Sequence, residues 1–209
     1  MKKALLTIYL VLFTVLIYAQ SFEGEVIYQN TYKSKLPNVT DSQFNGMMGS
    51  IQNYWVKGGN YKSEANGSLM QWQLYVNTDN KLYNKLSNSE TIFWNDGAVN
   101  DDTIISSELH KAAATILGYA CDELVLTCKS GIQKYYFSTE IPVDTKLYTK
   151  HAFGNYYAYL VKANSIPLKI IVDNAQFTME SVATTVKPMK LDPAFFVLPA
   201  GVATAKSPY

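Results

Sequence analysis

The chemistry open to this chain is narrow. Its only imidazoles are His110 and His151, and its only thiols are Cys121 and Cys128. A hydrolytic site needs a nucleophile, a base and an orienting acid brought together, with backbone donors supplied by a tight turn. Neither histidine lies near a nucleophile-elbow pattern, and no G-x-S-x-G occurs. Both read most simply as surface histidines in polar segments. Gly46-Met47-Met48-Gly49 lacks the lysine and hydroxyl of a phosphate loop. No catalytic residue and no cofactor is assigned, and no enzyme activity is expected. A hydrolase using His110 or His151 as base is the minor alternative.

Cys121 and Cys128 lie in the run CDELVLTC. On one strand, seven steps of about 3.3 Å put them roughly 23 Å apart on opposite faces. A disulfide needs Cα atoms within about 7 Å, so direct pairing is not expected. Cys128 shares parity with Leu124 and Leu126 and reads as a small core residue. Cys121 falls off that face, where pairing between chains or modification would be open to it. Neither histidine stands at ligand spacing from them, so no metal site is expected. Asp96, Asp101 and Asp102 are a calcium candidate only by composition. They lack the alternate spacing and terminal glutamate of an oxygen cage, and a solvated loop is the simpler reading.

Aromatic content is the departure from ordinary composition: 16 Tyr, 9 Phe and 3 Trp. Trp55, Trp72 and Trp94 fall on three different expected strands. A sheet curling on itself with aromatic and Met side chains inside would hold a greasy ligand. Alternatively these residues fill the core and form cross-strand pairs. Met70, Trp72, Leu74 and Val76 share parity on one strand, and are the first candidates for a ligand-cavity lining.

The elements that would position these groups alternate with period two. Phe22 to Tyr32, Leu69 to Val76 and Ile166 to Asp173 each put apolar residues on one parity and polar ones on the other. Such strands belong to antiparallel sheets with one wet and one covered face. Further strands are expected at Ile51–Lys57, Tyr61–Ala65, Lys81–Leu86, Glu90–Trp94, Cys121–Cys128, Ile132–Thr139 and Gln176–Lys187. Turn signals separate them, among them Gly58-Gly59-Asn60, Asn66-Gly67 and Lys129-Ser130-Gly131. Pro37 to Ser50 reads as a loop or short helix. Ile105, Leu109, Ala112 or Ala113, and Ile116 recur at three-to-four spacing, which permits an amphipathic helix, although Thr103 to Ser107 reads equally as strand. Tyr156-Tyr157-Ala158-Tyr159 reads as a strand with tyrosines on both sides.

Met1-Lys2-Lys3 precedes the apolar run Ala4 to Ala19, shorter than the roughly 20 residues a spanning helix wants. A signal peptide over residues 1–19 with cleavage before Gln20 is expected, and an uncleaved N-terminal anchor is the alternative. No cysteine lies near position 20 to be acylated. The mature chain, 20–209, is expected to be one β-rich domain, periplasmic or secreted, with no transmembrane segment. Formal net charge is +1, or −1 without Lys2 and Lys3, and every basic residue is lysine. That balance gives no field for nucleic acid.

Gly118-Tyr119-Ala120-Cys121, Phe137-Ser138-Thr139-Glu140-Ile141-Pro142, Ile166-Pro167-Leu168-Lys169 and Asp192 to Pro199 stand in one order along the chain. Together with the opening Phe22 to Tyr28, this pattern resembles a family of exported proteins of unknown function common in Bacteroidetes-type bacteria. Its motifs are GY-x-C and D-x-x-x-F-x-x-P. That family is similar in architecture to the lipoprotein carriers LolA and LolB, whose curved sheet covers a hydrophobic cavity for acyl chains. The resemblance implies an all-β, or β-rich α+β, half-barrel: a single curved antiparallel sheet with at most one or two short helices. It implies a lipid or lipoprotein acyl chain as partner. The carrier arginines have no counterpart in a chain without arginine. Two function classes follow: non-catalytic binding of an acyl chain or other hydrophobic ligand on the concave face, or a structural module with a filled core that engages envelope proteins.

Overall fold

The computed structural model describes residues 21–208. The signal peptide expected over residues 1–19 lies outside the described residues. The strands are β1 (Gly24–Ser34), β2 (Ile51–Lys57), β3 (Asn60–Ala65), β4 (Met70–Val76), β5 (Lys81–Leu86), β6 (Ile92–Asp96), β7 (Ile104–Ile116), β8 (Tyr119–Cys128), β9 (Gly131–Pro142), β10 (Ser165–Asn174), β11 (Phe177–Pro188) and β12 (Thr204–Lys206). Two helices, α1 (Asp41–Met48) and α2 (Tyr156–Ala163), join them. All described strands form one sheet in the order β12-β6-β5-β4-β3-β2-β1-β11-β10-β9-β8-β7. Neighbours are antiparallel except for the β12–β6 pair.

This sheet is curved and unclosed. In a flat sheet the six steps from β4 to β9, at about 4.8 Å each, would span roughly 29 Å. Yet one short stretch, Tyr148 to Tyr159, touches both. The His151 ring lies 3.9 Å from Tyr75 on β4, and the Tyr159 ring 4.3 Å from Tyr135 on β9. The sheet therefore bends round this stretch, which occupies the centre of its concave face. The fold expected from the sequence is present.

Two expected elements are corrected. Residues 104–116 form strand β7, not a helix. As the helix stripe, Ile105 and Leu109 would have needed a covering surface; they are 71% and 45% exposed. Pairing with β8 instead satisfies the backbone donors and acceptors of that strand. Tyr156 to Tyr159 is not a strand but the first half of α2, flanked by Asn155 and Asn164 in left-handed conformations (φ 64° and 49°). Asparagine tolerates that region better than most residues, so the two mark the helix limits.

Helix α1 begins with a capping box. Gln43 N donates to Thr40 Oγ1 (3.2 Å), and Thr40 N donates to Gln43 Oε1 (2.9 Å). Gly49 ends the helix at φ 91°, where a Cβ would lie 2.5 Å from the Gly67 nitrogen. Asn45 ties α1 to β1, accepting from Tyr32 N (3.2 Å) and donating to Tyr32 O (3.1 Å). Phe44 packs between Tyr32 and Phe177, with ring centroids 5.5 and 5.1 Å away. Thus α1 covers one end of the concave face.

Successive residues of β4 separate the two faces. Tyr75 belongs to the concave cluster with Tyr61, Leu82 and Tyr148. Leu74 belongs to a second cluster, on the convex face, with Tyr83, Ile92 and Phe196. Across that face the register aligns Trp55, Lys62, Leu74, Tyr83 and Trp94 on five strands. The C-terminal segment covers the row, with Phe195 against Trp55 (5.1 Å, edge to face). It is anchored where Leu191 N donates to Glu23 Oε1 (2.6 Å) and Lys57 Nζ donates to the Leu191 carbonyl (2.5 Å).

Candidate ligand-binding site

The centre of the concave face is filled. His151, 1% exposed, is sandwiched among aromatic rings: Tyr75 at 3.9 Å, Tyr156 at 4.7 Å and Tyr61 at 5.7 Å. Its Nε2 shares a 2.8 Å hydrogen bond with the Tyr61 hydroxyl, and the Tyr54 and Tyr156 hydroxyls meet at 2.9 Å. Burial pulls the His151 pKa down to about 4, against a smaller opposing pull from the Gly97 carbonyl. The same desolvation raises the Tyr61, Tyr148 and Tyr156 hydroxyls above their usual range. All these groups are neutral near pH 7. This corrects the reading of His151 as a surface residue: Tyr61 and Tyr75 are cross-strand partners on the β3–β4 hairpin, and nothing in the sequence shows that the stretch carrying His151 and Tyr156 docks on them.

His110 is half-exposed, as expected. Its Nδ1 lies 2.7 Å from Glu123 Oε2, a contact that raises the imidazole pKa. The Tyr136 hydroxyl donates to the other oxygen of Glu123 at 2.5 Å. Lys134 stands 3.7 Å from the same carboxylate. The cluster is a cross-strand ion network on β7, β8 and β9.

Both cysteines are free and buried in the concave core, Cys121 at 0% and Cys128 at 4% exposure. Burial raises both thiols, Cys128 to about 11. Cys121, expected off the core face, is corrected. The β7–β8 register shifts between His110 and Ala114, and at that irregularity simple parity no longer assigns faces. Asp102 clamps the β8–β9 turn, accepting from Ser130 N (2.9 Å), Ser130 Oγ (2.7 Å) and Gln133 Nε2 (3.2 Å). Among the described residues no group of three or more His, Cys, Asp or Glu is placed to hold a metal ion.

The expected lining Met70, Trp72, Leu74 and Val76 does not share one face. The β4–β5 register shifts between Met70 and Trp72, so Trp72 opposes Lys85 while Met70 opposes Leu86. This bulge turns Met70 toward the concave side. Leu74 is buried under the C-terminal segment, and Trp72 and Val76 pack against that same convex cluster. The Trp72 ring lies 5.9 Å from Lys62 Nζ, which also sits over the Phe195 ring.

Met70 borders a hollow of about 280 Å³ at the α1 end of the concave face, to which Trp72 also contributes. Met47 and Met48 of α1 and Met179 of β11 form its greasy wall, with Ile170. Its floor is polar. Asn30 and Ser181 are direct cross-strand partners on β1 and β11, 3% and 1% exposed. Asn30 Oδ1 and Ser181 Oγ have no hydrogen-bond partner. A buried polar atom left unpaired costs about 1–3 kcal/mol. Met70 also borders a second hollow of about 390 Å³, shared with Leu86, Phe93 and Phe153. Residue spacing does not disclose the floor; its only trace in the sequence is that Asn30 and Ser181 sit on the parity of the apolar residues Tyr28 and Ala183.

No protein-family model and no curated protein matches the chain, so the resemblance stays at the level of the motifs. Among solved structures the chain is similar to LprF from Mycobacterium bovis, at 12% identity and a TM-score of 0.28. The likeness covers 80% of this chain and 89% of LprF. Function is therefore read from the geometry. Among the described residues no helix is long and apolar enough to cross a membrane.

Proposed function

We propose that this chain is an exported, non-catalytic binding protein that holds an acyl chain or other hydrophobic ligand on its concave face. The methionine-walled hollow beside α1 is the observation that carries this reading. Methionine is unbranched and polarizable, and recurs at surfaces that accept varied apolar ligands. The volume, about 280 Å³, falls just below the range for small-molecule pockets, roughly 300–1,000 Å³. A second hollow of about 390 Å³ borders the other side of Met70 on the same face. The apolar run Ala4 to Ala19 supports placement in the periplasm or outside the cell. A ligand that binds only the folded chain stabilises it, by about 2.7 kcal/mol at a hundred times Kd. Detergent-solubilised fatty-acyl ligands should thus raise the melting temperature, and Met179→Trp, which fills the hollow, should abolish the rise. An unchanged melting temperature at saturation defeats the proposal.

A second reading is favoured by one observation, the packed Tyr–His stack at the centre of the concave face. A module with a filled core would use its surface to engage envelope proteins. It shows no ligand-dependent melting shift and retains envelope proteins on purification.

A further inference from the structure

The hollow has an apolar wall and an unpaired polar floor, and the floor constrains what can enter. Asn30 Oδ1 is an acceptor and needs a donor. Its amide nitrogen is 3.5 Å from Gln52 Oε1, on the side away from the vacancy in its bonding. Ser181 Oγ can donate or accept. As directly opposed residues of an antiparallel pair, their Cβ atoms stand about 4.5–5.5 Å apart. Both residues border the hollow but neither orphaned atom is open to it at rest, so a hydroxyl that parts the side chains above them can donate to Asn30 and accept from Ser181. No residue lining the hollow is charged; Gln52, Ser63 and Gln73 complete its polar side. A carboxylate brought here would meet no cation and would set its lone pairs against the Asn30 carbonyl oxygen.

We infer that the hollow selects an uncharged amphiphile whose hydroxyl or amide head bonds Asn30 and Ser181, with its chain along Met47, Met70 and Met179, and that it disfavours fatty-acid anions. This rests on the binding function proposed above and deepens it to a head-group class. A long-chain alcohol, a monoacylglycerol and a fatty amide share the required chemistry. The two orphaned atoms supply the selectivity: a site built to hydrogen-bond a head group discriminates against an analogue that leaves its buried polar atoms unpaired.

Calorimetric titration of the full chain at pH 7.5 with decan-1-ol, 1-methoxydecane and decanoate tests this directly. The alcohol donates and accepts, the ether only accepts, and the acid is charged. Decan-1-ol is expected to bind about tenfold tighter than either analogue, as one additional satisfied hydrogen bond implies. In Ser181→Ala the advantage over the ether should shrink, and in Asn30→Leu/Ser181→Ala it should vanish while the ether binds at least as well as before. Equal affinity of alcohol and ether for the unaltered chain overturns the head-group assignment and leaves hydrophobic binding standing; a retained water would then satisfy the floor. Decanoate binding tightest overturns the selection against charge. Failure of all three to bind overturns both this inference and the function beneath it.

Discussion

Two stretches of one concave face, a few residues apart along the same strands, solve burial in opposite ways. At the centre, Tyr61 and Tyr75 press against His151, Tyr148 and Tyr156, and the hydroxyls of Tyr54 and Tyr61 find partners. At the α1 end, the same strands β3 and β4 turn Ser63 and Gln73 inward instead, and the space above them holds no side chain. Two buried serines show the contrast most simply. Ser165, 0% exposed, donates within reach of the Ser138 and Ile141 carbonyls at 2.6 and 2.8 Å, whereas Ser181, 1% exposed, has no partner. The centre leaves one buried atom without a partner, His151 Nδ1, shut in among packed rings, whereas the α1 end leaves two, Asn30 Oδ1 and Ser181 Oγ, on directly opposed residues that border a hollow, which is where a binding surface needs unmet capacity.

The largest expected effect lies at the centre. Tyr75→Ala removes a fully buried ring that stacks on His151 and should cost about 3–5 kcal/mol, read by chemical denaturation. A loss below about 1 kcal/mol would mean the stack is not the core it looks to be.

Next is a pH effect of about 3 kcal/mol. His151 has a folded pKa of about 4, below the 6.5 of an unfolded histidine. The unfolded chain therefore binds its proton first as pH falls. The contribution is fully present above pH 6.5 and is lost progressively down to about pH 4. Replacing His151 by Gln should flatten the stability curve across that window. His110 acts in the opposite sense. Glu123 raises its folded pKa, so its contribution is present below pH 6.5 and fades as pH rises through the folded value. His110→Ala should therefore leave the acid limb between pH 6.5 and 4 in place. An unchanged limb in His151→Gln would place that histidine in a wetter setting.

Smaller still is the serine pair. Ser165→Ala strands two buried carbonyls and should cost about 1–2 kcal/mol. Ser181→Ala removes an orphan and should leave stability unchanged or slightly raised. Equal losses at the two positions would show that Ser181 is satisfied in solution, and the contrast between the stretches would fail.

How much of this was legible in the sequence follows from what parity can carry. The bounds of β2 and β5 coincide with the alternating runs Ile51–Lys57 and Lys81–Leu86, because sharp turns at Gly58-Gly59 and Asn88 isolate them. Parity fails wherever the backbone departs from regular pleating. The bulge at Met70 moves one residue of the expected lining to the other face, and the irregularity opposite Asp122 does the same for Cys121. Residues 104–116 carry an apolar spacing that fits a helix, and only the need of β8 for a partner decides for strand. The convex cover is a property of tertiary docking: the closing Asp192 to Pro199 motif is plain in the sequence, but its seat over Trp55, Leu74 and Trp94 is not. The hollow is invisible for the same reason, since it is defined by what α1 fails to fill.

Whether the hollow holds a ligand is decided by purifying the chain from its native cells without detergent, extracting it with solvent and identifying lipids by mass spectrometry, alongside Met179→Trp. A near-stoichiometric neutral amphiphile is expected on the unaltered chain, with its loss from the filled variant. An empty chain, or the same lipid load on both, would rule out the hollow as a binding site.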